Sequence, residues 1–550
     1  MQEISSALKQ AAKSVYETDI EPEISRPEAK FGDFSSNIAL KLAAQLKKPP
    51  REIAQALANA LSQNPNLAKV ELAGPGFINF WLTDKVLAES AQAATRPAQA
   101  LAGQEILVEF GDPNPFKEMH IGHLYSYIVG DAIARLLESA GASVRRLSYH
   151  GDVGLHVAKT IWALKQASGA AEFQLADGLA ADTMIGNYYA KGAEAYEQSP
   201  SAKDEITKIN HLIYSGQDPD IKNIYEQGRE LSFKAFDNIL KLLDISNDRR
   251  YLESQTAEVG KEMVQKNIGP VFEESDGAVI YPGEKAGLHT RVFITSQGLP
   301  TYEAKDLGLT SLKDKDYPGA RRSLIITASE QSEYFKVMLA ALAEINRSLA
   351  EKTTHLAHGF LSLSTGKMSS RTGNVYSATN LLAKVKERVY AQYPDSAQKD
   401  EIYLGAVKYG LLRHHLGSDI VYDVEESVAV EGNSGPYLQY AHARACSILA
   451  KASELPAEPA AIESYEPPER LLARKISEFP EVVAGATAEL APNQICNYLY
   501  ELAQSFNKFY ETSRIIGDPR AGLRLKLVES YSQVLAGGLK LLGISAPERM

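Results

Sequence analysis

Apolar and polar positions alternate in three regimes along this chain. Over residues 1–100, amphipathic helical patterns at roughly 3–16, 35–46, 51–62 and 85–95 frame two strand-like runs, Lys69–Ala73 and Phe77–Leu82. Gly74-Pro75-Gly76 between those runs predicts a tight turn, and Phe77 and Phe80 read as core. Residues 101–165 switch to strand, helix, strand, helix. Glu105–Phe110 feeds a Gly/Pro/Asn loop, after which Ile121, Leu124, Ile128, Ala132 and Leu136 mark one helix face and Gly141 its stop. Strands alternating with helices predict a parallel, doubly wound, Rossmann-like sheet. Residues 166–275 are polar and mostly helical, and read as an insertion between the two halves of that sheet. Strand patterns resume at Val279–Tyr281, Val292–Ser296, Leu324–Ala328 and His355–Leu363. From about 401 the pattern is helical almost throughout, with a Pro/Glu/Ala loop at 455–468. The expected architecture is multidomain α/β: an α+β unit at 1–100, a Rossmann-like domain at 101–400 carrying the 166–275 insertion, and an all-α domain at 401–550.

Composition narrows the class. At 550 residues, with 44% hydrophobic and 23% charged positions, the chain suits a soluble protein of two to four domains. A net charge of -11 argues against simple coating of nucleic acid, although a local basic face on an acidic body remains compatible with it. Basic clusters occur at Lys47–Arg51, Arg145-Arg146, Arg249-Arg250, Arg321-Arg322 and Arg520–Lys526, and such clusters are most often solvated surface. Two cysteines, Cys446 and Cys496, supply neither a Cys-rich zinc site nor a disulfide framework. They read as free buried thiols in a reducing, cytoplasmic setting. The N-terminal residues lack the apolar run of a signal peptide, and no stretch of 18 apolar residues predicts a membrane span.

Two motifs carry candidate chemistry. Met119-His120-Ile121-Gly122-His123 opens a helix after an apolar strand, and Gly366-Lys367-Met368-Ser369-Ser370-Arg371 follows another. A helix start beyond the carboxyl end of a parallel strand offers free N–H groups to phosphate. His120 and His123 share a helix face and can reach one anion, and Gly122 lets a purine approach the backbone. Lys367 and Arg371 make a cationic loop able to close on a triphosphate. The bland alternatives are surface histidines at a helix start and a solvated basic turn.

The motifs resemble the HIGH and KMSKS signatures of class I aminoacyl-tRNA synthetases. Within that class, Val108–His123 resembles the active-site entry of the arginyl-tRNA synthetases. Gly74–Phe80, Thr301–Asp306, Ala328–Gln331, Glu431–Ala441 and the terminal Leu542–Met550 resemble other segments of that family, in the same order. The resemblance implies arginine and ATP as substrates, arginyl-adenylate as intermediate, tRNA(Arg) as acceptor and partner, activation that needs bound tRNA, and a monomer. Magnesium would travel with ATP, and no protein-bound zinc is expected. A carboxylate attacking an α-phosphate needs alignment and charge neutralisation rather than a general base. The resemblance puts His120, His123, Lys117 and Lys367 in catalysis, and Gly122, Met368, Ser369 and Arg371 beside them at ATP. It puts Glu109, Asp112, Asn114, Tyr302, Asp306 and Gln331 around arginine, whose permanent guanidinium is best met by carboxylates. It puts Asn79 at the tRNA D-loop, and Tyr437, Tyr440, Tyr510 and Met550 near the anticodon. Paired carboxylates reject neutral or differently shaped amino acids strongly enough to need no editing domain.

The chain departs from the pattern at Ser370, where the second signature lysine is expected; Lys117 is placed to supply that cation. Asp112 stands where a small hydroxyl residue is common, and Gly151-Asp152-Val153-Gly154 lacks a tryptophan often found there. Rival readings are another class I synthetase, a small nucleotidylyltransferase sharing HxGH, and a non-catalytic tRNA-binding paralogue.

Overall fold

In the computed structural model, which describes residues 2–96, 98–168, 180–364, 376–453 and 464–550, five parallel strands form the central sheet. Across the sheet they are Thr353–His358, Ala320–Ala328, Glu105–Phe110, Ser143–His150 and Arg249–Leu252, and every neighbouring pair is parallel. The chain enters at the middle strand, steps outward to Arg249–Leu252, then returns to the other side of Glu105–Phe110. The order reverses between Glu105–Phe110 and Ala320–Ala328, the switch point beyond whose carboxyl ends such sheets bind ligands. Ile106 to Phe110 are all buried, as a parallel strand covered on both faces requires.

The helix Ile121–Ser139 is buried on nearly every side. One side lies on the sheet. The other is covered by the C-terminal helices Lys399–Leu412, Phe479–Glu489, Pro492–Thr512 and Ala521–Leu541. The single apolar face expected from its sequence is therefore too narrow, because the helix sits between two layers. Gly130 permits this approach: a Cβ there would lie 2.2 Å from Phe110 Cγ.

The N-terminal unit packs helices Gln2–Tyr16, Ile38–Leu46 and Pro50–Leu61 on an antiparallel sheet ordered Ile24–Ser25, Phe34–Ser36, Phe77–Leu82, Leu67–Ala73. It docks on the C-terminal helices through Arg470, which bridges Asp33 and Asp84, and through Arg26 on Glu481.

Several expectations need correction. Arg249–Leu252 falls in the range expected to be helical insertion, yet it is an edge strand of the main sheet. Only four residues long and opening with two arginines, it lacks the apolar run of an inner strand. Ala278–Tyr281 and Arg291–Ile294 do not resume the main sheet. With Glu273–Ser275 they form a separate antiparallel one. The single strand expected over 355–363 breaks at Gly359, where a Cβ would lie 2.1 Å from the Ser418 carbonyl oxygen. Its second piece, Leu361–Leu363, pairs with Ile420–Tyr422, a strand inside the region expected to be all helix. Phe80 is core, but Phe77 is exposed at the strand end, and Cys446 is only half-buried. The 455–463 part of the expected 455–468 loop lies outside the described residues, and helix Pro467–Ser477 begins within its remainder.

The Gly130 contact gives a stability prediction. Gly130→Val should cost about 3 kcal/mol through overpacking against Phe110. Urea unfolding would show a lower midpoint at unchanged slope, whereas an unaltered midpoint would mean that the Phe110 ring swings aside.

Candidate active site

The Glu105–Phe110 strand ends in Gly111 and Asp112, both with positive φ, and Phe116 repeats that conformation before the chain reaches His120. These bends return the chain to the switch point, where His120 caps the helix. Its Nδ1 accepts from the Gly122 N–H at 3.1 Å and the His123 N–H at 3.4 Å, while the Ile121 N–H reaches the Tyr376 carbonyl at 3.1 Å. The expectation of free first-turn N–H groups for phosphate is thus not met. An accepting Nδ1 leaves the proton of a neutral ring on Nε2, so the side chain itself offers the donor. Gly122 is needed first by this cap, since a Cβ there would press on the His120 ring at 3.0 Å.

The His120 and His123 rings stack with centroids 3.6 Å apart. Burial, aided by nearby Lys117, lowers the His120 pKa to about 4. Burial and then His120 push His123 well below its ordinary value. Both rings are neutral donors at pH 7 rather than cations. His123 Nδ1 is buried without a partner among the described residues. Lys117 is the nearby cation. Burial and then Lys159 lower its pKa, its Nζ lies 4.9 Å from the centre of the Tyr189 ring, and no carboxylate pairs with it among the described residues.

An acidic cluster lies beside the helix entry. Glu109 and Lys313 form a buried ion pair. Asp112 accepts the Tyr149 N–H at 2.7 Å, and Asp306 accepts the Tyr334 hydroxyl. Burial and then the charge of Glu109 hold both Asp112 and Asp306 well above the usual carboxylate range, with Lys313 opposing. Among the described residues, one cation thus offsets a cluster of three acids. That arrangement favours entry of a further cation. At the margin Glu253, raised by burial, pairs with Lys305 at 2.6 Å.

The remaining candidates are more peripheral. Tyr302 opens helix Tyr302–Asp316 and is 66% exposed, with the Lys305 Nζ 5.2 Å from its ring centre, so it stands free of the core. Gln331 is exposed at the end of the Ser329–Gln331 turn. Asn114 Oδ1 accepts the Gly151 N–H at 2.9 Å, and so holds the 151–154 segment. Lys367, Met368, Ser369, Ser370 and Arg371 lie outside the described residues. Among the described residues, no group of three or more His, Cys, Asp or Glu gathers to hold a metal ion, and no helix is long and apolar enough to cross a membrane.

Sequence reasoning missed three residues here. Lys313 stands two turns after Asp306, a spacing that puts both on one helix face. Asp152, fully buried in the Gly-Asp-Val-Gly segment, accepts from Tyr225 at 2.7 Å, Arg229 at 3.1 Å, and the Ser254 N–H and hydroxyl at 3.0 and 2.8 Å. Asp182 contacts Met119 from the insertion, and nothing in the polar sequence around it signals this.

Away from this cleft, Asn79 is 5% exposed within its sheet. Tyr437 is half-buried and accepts from Asn507 at 2.9 Å. Tyr440 and Tyr510 are exposed and flank the Arg444 guanidinium at 4.8 and 5.5 Å. Met550 packs half-buried against the C-terminal core.

Comparison with known proteins gives three family matches: the arginyl tRNA synthetase N terminal domain over residues 2–82, the catalytic domain of tRNA synthetases class I (R) over 84–422, and the DALR anticodon binding domain over 438–550. Relatives include an arginine–tRNA ligase of Limosilactobacillus fermentum, 30% identical over 100% of this chain and 99% of its own length. One from Chromobacterium violaceum is 30% identical over 96% and 95% of the two chains. Among solved structures, Thermus thermophilus arginyl-tRNA synthetase superposes with a TM-score of 0.83 at 28% identity, covering both chains fully. With matches that run from end to end and a sheet, helix cap and acidic cleft arranged around one switch point, the chain belongs to the class I arginyl-tRNA synthetase family.

Proposed function

We propose that this chain is an arginine–tRNA ligase that forms arginyl-adenylate from arginine and ATP, then transfers arginine to the 3′ end of tRNA(Arg). The observation that carries this reading is the buried acid cluster set beside the His120 cap. Asp306, Asp112 and Glu109 supply negative charge for a guanidinium and an α-ammonium. The substrate carboxylate then attacks the α-phosphate and pyrophosphate leaves. His120 contributes a neutral Nε2–H donor, Lys117 a cation beside it, and Lys367 further positive charge. Mg2+ enters bound to ATP and helps neutralise its phosphates. Tyr302 and Gln331, exposed at the cleft margin, close on arginine when it binds, while Asn114 acts through the 151–154 segment.

In this reading residues 1–100 contact the tRNA D-loop, 101–400 perform the chemistry and 401–550 hold the anticodon. Tyr440, Arg444 and Tyr510 suit base stacking. The burial of Asn79 leaves Phe77 as the exposed aromatic of its strand. Activation requires bound tRNA, and the enzyme works as a cytoplasmic monomer.

Charging of total tRNA with labelled arginine tests the function directly, alongside arginine-dependent pyrophosphate exchange with and without tRNA. Arginyl-tRNA should form, and exchange should appear only with tRNA. Charging with a different amino acid, or none, would sink the reading. Asp306→Asn should lower kcat/KM for arginine about 100-fold, roughly 3 kcal/mol, with the KM for ATP unchanged.

Proton linkage gives a second test. Asp112 and Asp306 have raised pKa values, and a bound guanidinium favours their ionised forms, so binding expels protons. Arginine affinity should rise with pH up to the raised pKa and weaken as pH falls, by about tenfold per pH unit for each proton released. Calorimetry in buffers of different ionisation enthalpy would count those protons, and a dissociation constant flat between pH 5.5 and 8 would contradict the charge arrangement.

A further inference from the structure

The helix that bears His120 is entered through a peptide clamped from two distant parts of the chain. Met119 is fully buried, and its N–H points at both carboxylate oxygens of Asp182, each 3.1 Å away. Its carbonyl accepts the Ala378 N–H at 2.8 Å. Asp182 belongs to the insertion helix Ala180–Gln198, while Ala378 begins helix Ala378–Gln392, which follows the Lys367 segment in the chain.

Neighbouring side chains complete the bridge. Glu118 Oε1 accepts from Thr183 and Thr379, each at 3.2 Å, and Thr379 lies 3.0 Å from the Ser377 hydroxyl. Gly186, one turn beyond Asp182, lets Glu118 lie against the insertion helix, since a Cβ there would fall 2.7 Å from Glu118 Cβ. Asp182 is fully buried, and burial holds its pKa up at about 7, against the pull of the Met119 N–H. A buried acid kept at that cost has a positional use.

We propose that Asp182 is a positioning residue for adenylation: through the Met119 N–H it fixes the His120 backbone, while its neighbour Thr183, through Glu118 and Thr379, joins that frame to the helix after the Lys367 segment. The inference rests on the ligase reading above. It assigns the insertion a part in the chemical step, because fixing both peptides of Met119 fixes where the His120 ring sits. A displacement of about 1 Å at such a ring costs on the order of 100-fold in rate.

The test uses the full chain carrying Asp182→Leu, Asp182→Asn and Thr379→Val, with thermal melting to score folding. The readouts are pyrophosphate exchange with tRNA present and deuterium exchange of the 117–123 peptide. Asp182→Leu should lower kcat about 100-fold with the KM for arginine and ATP within threefold, and speed exchange of the peptide. Asp182→Asn keeps an acceptor and should stay within about fivefold of wild type. Thr379→Val, a milder change that covers a failure of Asp182→Leu to fold, should lower kcat about fivefold at constant KM. The proposal is overturned if Asp182→Asn is as damaged as Asp182→Leu, if losses fall on KM, or if activity merely tracks the folded fraction. Wild-type inactivity with any amino acid would instead remove the ligase reading, and the peptide exchange would still report whether Asp182 holds the entry.

Discussion

Burial of one helix between a parallel sheet and a helical bundle organises this molecule. Ile121–Ser139 has no solvent face to spare, so the central sheet and the C-terminal helices share its surface. Side chains on both sides fix its axis, and its N-terminal cap is thereby fixed over the strand ends. Apolar contacts spread along such a helix hold its position more firmly than any single polar contact at its tip. The cap can therefore be used for chemistry while the body of the helix carries the stability.

Electrostatics at that tip run against stability. Burial and the charge of Glu109 disfavour ionisation of Asp112 and Asp306, and among the described residues Lys313 is the cation that opposes this. Removing one member of such a buried pair typically costs roughly 3–5 kcal/mol. The cleft is thus held with an excess of acid over base. The histidines carry no compensating charge, since burial keeps them neutral.

The outer units are joined by different physics. The N-terminal unit meets the C-terminal helices through arginine–carboxylate contacts, with Arg470 reaching Asp33 and Asp84. Most arginines read as basic clusters in the sequence are spent in the same way. Arg145 and Arg146 pair with Glu105, Asp131 and Glu138, and Arg520 and Arg524 with the buried Glu469. These pairs bind the fold together, leaving the exposed Tyr440 and Tyr510 about the half-buried Arg444 as a distinct kind of surface.

The sequence by itself determined the class of the fold, the order of its units and the family. Helical and strand periods are local properties, and the entry from Val108 to His123 is a continuous stretch whose spacing survives without coordinates. Which acids converge was legible only through the family resemblance, because Glu109 and Asp306 come from separate elements. Tertiary structure alone decided the rest. It made Arg249–Leu252 a sheet edge, since pairing with Ser143–His150 outweighs a polar four-residue sequence. It turned His120 into its own helix cap and took the free N–H groups away. It buried Asn79 in mid-strand and exposed Phe77 at the strand end, although the two share one face, because packing covers the middle of the strand and leaves its end open. It also brought Lys313 to Glu109 and Asp182 to Met119. Charge balance and backbone clamping depend on distances between segments, and no pattern within a segment records those distances.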